Sequence, residues 1–152
     1  MTQLSPAQVA ARVAAIIRTR PELWDQGTWW GGPAAAVRHD AASAYRVPVS
    51  ALRAMLDAPA AECGTTCCVA GWAAVVAAPD DAVFDGGDVT MPDGGCKSIE
   101  DAGAVALGLP VPPPWDAPWL FAPDRTRDEV LAALDAIVAL DAIAGRPRPE
   151  GA

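Results

Sequence analysis

Four cysteines and a single histidine have the widest chemical repertoire in this chain. Cys63 and Cys67 stand four residues apart in CGTTCCVAGW, with Cys68 alongside and Cys96 further on. A cysteine at a helix N-terminus has its thiolate favoured by the helix dipole, a common way of making a reactive thiol. A thiol enzyme or redox protein would therefore use Cys63 and Cys67, and its base would be His39. His39 precedes the cysteines, the reverse of the papain-like order. Zinc would draw on Cys63, Cys67 and Cys96, with Cys68 or His39 as the fourth ligand. Structural zinc sites are usually built from two close cysteine pairs, and this chain has one. Buried thiols acting as small apolar groups account for the same residues more simply, so no metal and no cofactor are assigned.

The cysteines must be positioned by the run from Cys63 to Pro79, which has no charged side chain and is followed at once by Asp80 and Asp81. Thr65 or Thr66 is the expected N-cap of a helix from Cys67 to Ala78, and Pro79 stops it by disfavouring the α region for its predecessor. Apolar side chains lie on every side, yet the run is shorter than the ~20 residues that span a bilayer, so it reads as a buried central helix. Cys67, Gly71, Ala74 and Ala78 form a small row that admits a neighbouring helix, and Val69, Trp72 and Val76 form a bulky one.

Caps and apolar stripes mark the flanking helices. Leu4, Ser5 and Pro6 read as staple, N-cap and first position of a helix whose stripe is Val9, Val13, Ile16 and Ile17, ending near Arg18 to Arg20 before Pro21. Ala34 to Tyr45 is Ala-rich and reads as helix. Ser50 is the expected cap of a short helix with Leu52, Met55 and Leu56 inward, stopped by Pro59. Ser98 opens another, with Ala102, Val105, Ala106 and Leu109 as its core face and Gly108 as the C′ glycine. Thr126 and Glu129 form a capping box for a last helix carrying Val130, Leu131, Leu134, Ile137, Val138 and Leu140, up to Gly145. Between these, Val83-Phe84, Asp85-Gly86-Gly87-Asp88 and Val89 to Met91 have the pattern of a β-hairpin. Asp81, Asp85, Asp88 and Asp93 lack EF-hand spacing and a closing Glu, so they are not read as a calcium loop.

Two stretches are too rich in Gly and Pro for regular structure and carry most of the tryptophan. PELWDQGTWWGGP holds Trp24, Trp29 and Trp30, and LPVPPPWDAPWLFAPD holds Trp115, Trp119 and Phe121. One use for such aromatics is to seal the core, the other to meet a partner, where tryptophan is enriched.

A chain of 152 residues fits one domain, expected over residues 1–145 with a disordered tail at 146–152. At 52% hydrophobic and 20% charged it is globular in composition. A net charge of −8 and a pI near 4.4 argue against direct nucleic-acid binding, which needs clustered Lys and Arg. The N-terminal twenty residues lack the basic, long apolar and cleavage regions of a signal peptide. A cytoplasmic protein with reduced thiols is therefore expected, without a Cys63–Cys67 or Cys63–Cys96 disulfide.

Taken together, PELWDQGTWW, CGTTCCVAGWA, the Pro-Asp-Gly hairpin, AVALGLP and WLFAPD resemble a family of small uncharacterised proteins of high-GC bacteria and their phages. Their shared core reads Cys-Gly-Thr-x-x-Cys-x-Ala-Gly-Trp-Ala, spanning Cys63 to Ala73 here. The resemblance runs from Pro21 to about Ile137 and implies a shared fold without an established activity. Gly31 to Ala61 departs from the family pattern as a long insertion.

The fold expected is mainly α, a compact bundle of five or six short helices around the buried central helix, with one small β-hairpin. The function expected is a non-catalytic cytoplasmic interaction or accessory protein. Its protein partner would meet Trp29, Trp30, Trp115, Trp119 and Phe121, with neither nucleic acid nor membrane as a direct partner. Alternatives are the thiol enzyme or redox protein of Cys63 and Cys67, and an acidic mimic of nucleic acid suggested by the charge.

Overall fold

The computed structural model describes residues 3–27, 46–57, 67–85, 87–111 and 120–144, the side chains of Met55, Asp57 and Ala144 aside. Helix α1, Pro6–Thr19, begins where the sequence places it. Ser5 is extended; its Oγ accepts from the Gln8 N–H at 3.3 Å, and Gln8 Oε1 accepts from the Ser5 N–H at 2.8 Å. That reciprocal pair satisfies donors the first turn leaves open. Val9, Val13 and Ile17 are fully buried and Ile16 partly so. After Arg20 a single 3₁₀ turn, Pro21–Leu23, drives Leu23 into the core.

The last helix, α5 at Arg127–Ala144, packs on α1. Thr126 and Glu129 form the expected box, with the Thr126 N–H donating to Glu129 Oε2 at 2.8 Å and the Glu129 N–H to Thr126 Oγ1 at 3.3 Å. Arg127 donates to the Ile17 carbonyl at 3.0 Å, satisfying an acceptor that the end of α1 leaves open. Arg18 grips Asp135 with one nitrogen shared between both oxygens, at 2.8 and 2.7 Å. Val130 and Leu134 are buried, but Leu140 is 66% exposed, so the stripe leaves the core before its expected end.

The central helix, α3 at Val69–Ala77, starts two residues later than expected. Cys67 is held outside it: its N–H donates to the Leu23 carbonyl at 3.0 Å and its carbonyl accepts from the Asp25 N–H at 3.2 Å, a parallel bridge to Trp24. Extended Cys68 is therefore the N-cap, its Sγ accepting from the Gly71 N–H at 3.5 Å, while Thr65 and Thr66 lie outside the described residues. Trp72 is fully buried and donates from Nε1 to the Leu23 carbonyl at 2.8 Å. Ala78 turns extended, as its proline neighbour requires. The carbonyls at this end are taken by Arg53 of α2, Val49–Asp57, which donates to Val75 at 3.0 Å and Val76 at 3.2 Å and also reaches Ala78 and Asp80.

Helix α4, Ile99–Ala106, opens on Ser98, whose Oγ accepts from the Asp101 N–H at 3.0 Å, and closes on Gly108 at φ +67°. It lies tight against α3 at Gly103, where an added Cβ would fall 2.6 Å from the Ala70 oxygen and 2.7 Å from its Cα. This contact uses Ala70, outside the row of small residues read from the sequence. Ile99, Ala102 and Ala104 are buried beside Gly103, whereas Val105, expected in the core, is 50% exposed.

Four short strands correct the expected fold class. β1 Arg46–Pro48, β2 Val83–Asp85, β3 Asp88–Thr90 and β4 Cys96–Ser98 form an antiparallel sheet in that order. Val47 pairs Phe84 and Phe84 pairs Val89, and all three side chains are buried. With five helices, the described protein is mixed α and β rather than mainly α with one hairpin. The β2–β3 hairpin is the expected one. β1 is an edge strand, where its proline is tolerated. β4 returns through a turn in which Gly94 adopts φ +84° and the Met91 N–H donates to the Gly95 carbonyl at 2.7 Å.

One apolar cluster links α1, α3, α5 and the sheet. No helix among the described residues is long and apolar enough to cross a membrane. The expected helix at Ala34 to Tyr45 and the expected tail at 146–152 lie outside the described residues.

Candidate functional site

The described thiols are not arranged for nucleophilic chemistry. Cys67 is fully buried, with its backbone committed to the bridge, so it does not occupy the helix N-terminus that would favour a thiolate. Cys68 occupies that place, but burial pushes its thiol up from the ordinary cysteine value, outweighing the N–H groups of Gly71 and Ala70 that favour the anion. Cys96 is exposed on β4, opposite Thr90. Cys63 and His39 lie outside the described residues.

Among the described residues no three His, Cys, Asp or Glu are grouped to hold a metal ion. Asp85 pairs with Arg46 across β1 and β2 at 3.4 Å, and Asp93 Oδ1 accepts the Gly95 N–H at 2.9 Å as part of the β3–β4 turn.

A different residue joins stretches of chain that flank the tryptophan segments in sequence. Gln26 is only 6% exposed, a buried polar side chain in an apolar core. Its Nε2 donates to the Leu120 carbonyl at 2.8 Å and the Ala122 carbonyl at 3.3 Å, and its Oε1 accepts from the Val69 N–H at 3.3 Å. One amide thus uses both kinds of hydrogen-bonding group to join the chain after α1, the start of α3 and the approach to α5.

The position of this junction is what matters. Gly27 is the last described residue before Trp29 and Trp30, and Leu120 is the first after Trp115 and Trp119. The Gln26 amide therefore joins the chain just before Trp29 and Trp30 to the chain just after Trp115 and Trp119. Phe121 is 3% exposed and belongs to the core, which it anchors next to Leu120, so its ring is not offered to a partner. Trp24 is partly buried against the same core. Trp29, Trp30, Trp115 and Trp119 lie outside the described residues. A glutamine between Asp25 and Gly27 belongs to no periodic pattern, so nothing in the sequence marks Gln26.

Comparison of the chain with protein-family models, with curated proteins and with solved structures finds no match.

Proposed function

We propose that this is a non-catalytic interaction or accessory protein that binds a protein partner through one surface. Trp29 and Trp30 on one segment and Trp115 and Trp119 on the other would form it. The observation that carries this reading is the Gln26 amide, which ties the exit of the first segment to the return of the second. Tryptophan is enriched where interfaces concentrate their binding energy, and two such segments fixed at one root need lose less freedom on binding than two independent loops. A net charge of −8 favours a protein over a nucleic acid as that partner, since phosphate repels an acidic surface. Placement in the cytoplasm, and kinship with the family sharing the Cys63 to Ala73 motif, belong to the same proposal. Thiol catalysis is disfavoured by the raised thiol of Cys68 and the burial of Cys67.

Photo-crosslinking tests the single surface. With p-benzoylphenylalanine placed singly at Trp30 and at Trp115, irradiation in cells should attach the same polypeptide at both positions. Different polypeptides at the two positions, or no adduct at either, would count against one surface.

A further inference from the structure

The start of α1, the end of α3, the β3–β4 hairpin and α4 bound a cleft of about 230 Å³, walled by Leu4, Ala74, Ala78, Met91, Ala102 and Ala106. Past Leu4, Ala77 and Met91 it widens into a trough bordered by Arg12 and Arg53. Val105, half exposed, adds apolar surface beside it. None of these residues takes part in the Gln26 junction.

The cations of the described fold are distributed unevenly around this cleft. Arg18, Arg46 and Arg125 pair with Asp135, Asp85 and Glu129. Arg20 pairs with Glu22, while Arg53 and Arg127 donate to carbonyls at the ends of α3 and α1. Among the described Arg and Lys residues only the side chains of Arg12 and Lys97 make no hydrogen bond or ion pair, and both are exposed. Lys97 borders the narrow part of the cleft and Arg12 the wide part. In a chain of net charge −8, the two uncommitted cations among the described residues thus border one apolar cleft.

We propose that this cleft binds a linear long-chain carboxylate. Its methylenes would lie along Leu4, Met91 and the alanines, with its head at Lys97 in the narrow part and Arg12 adding to the positive potential from the wide part. The apolar walls favour a ligand with a substantial hydrocarbon body, and the cations select an anionic end. Alanine side chains rise by only one methyl, so the narrow part suits an unbranched chain better than a ring. Met91 is unbranched and flexible, and can follow the length of such a chain.

Dodecanoate, titrated calorimetrically below its micelle concentration and followed by backbone amide shifts, is the test. One molecule should bind per chain and shift Leu4, Met91 and Val105. Each methylene added from octanoate to dodecanoate should strengthen binding about two- to fourfold. Lys97→Glu and Arg12→Glu alter exposed side chains, and each should weaken dodecanoate about fivefold while leaving the melting temperature near that of the parent. Dodecyltrimethylammonium should not compete. Absence of saturable binding, equal binding of the cationic and anionic amphiphiles, or shifts confined to residues away from the cleft would overturn the proposal.

Discussion

Gln26 Nε2 lies 2.8 Å from the carbonyl oxygen of Leu120, a hydrogen bond across 94 positions of sequence. The same amide serves Ala122 and Val69, so Gln26→Ala strips three backbone groups of a partner at once. Urea denaturation should show a loss of about 2–3 kcal/mol. Gln26→Glu keeps the acceptor for Val69 but, when ionised, has no donor for the two carbonyls. Burial among acceptors raises the pKa of the introduced carboxyl, so stability should fall as pH rises through the carboxylate range and be partly regained near about pH 4.

Gly103 and Ala70 bring α4 and α3 together more closely than any side chain would allow. In Gly103→Ala the new carbon meets backbone atoms, which cannot rotate away, and the helices must separate. Chemical denaturation should report a cost of about 1–3 kcal/mol, opposite in sign to the gain in helix propensity that alanine brings at an unhindered helical site.

Trp72 fills the centre of the core and hydrogen-bonds Leu23. Trp72→Ala should lower stability by roughly 3–5 kcal/mol. Trp72→Phe should cost about 1–2 kcal/mol, because the Leu23 carbonyl still accepts from the Cys67 N–H. Denaturation midpoints that rank the two variants in any other order would contradict this packing.

These packed elements differ in how plainly the sequence announced them. Ser5, Ser98 and the Thr126–Glu129 pair are local devices whose hydrogen bonds span three residues, so their helices could be read directly. The β2–β3 hairpin carried its own turn. Strands β1 and β4 are three residues each, and their evidence lies in distant partners: Val47 counts as strand only because Phe84 stands opposite. Cys67 reads as helix for the same reason, since its apolar neighbours conceal a bridge to Trp24. Gly103 and Gln26, which fix the helix contact and the aromatic junction, have meaning only through residues far along the chain. The tryptophans are visible as a class; the hydrogen bond that joins the chain before Trp29 to the chain after Trp119 is not.

Cys68 gives a pH-dependent check on the thiols. Burial raises its folded pKa above that of the unfolded chain, so the unfolded state loses its proton first. The proton's contribution is intact below the ordinary thiol range and is lost as pH rises through it, so stability should decline in alkali. Cys68→Ser keeps an acceptor for the Gly71 N–H, removes the titrating group and should flatten that decline. In a native thiol titration, exposed Cys96 should react promptly, while Cys67 and Cys68 should wait for denaturant.

The thermal midpoints of Trp115→Ala and Trp119→Ala, recorded beside their capture of the crosslinked partner, test the single aromatic surface most directly. If these rings meet a partner, both variants should melt within a few degrees of the parent and lose capture. If the rings instead seal the core, both should lose several kcal/mol of stability and capture should fall only as the protein unfolds, a result that would contradict the proposed surface.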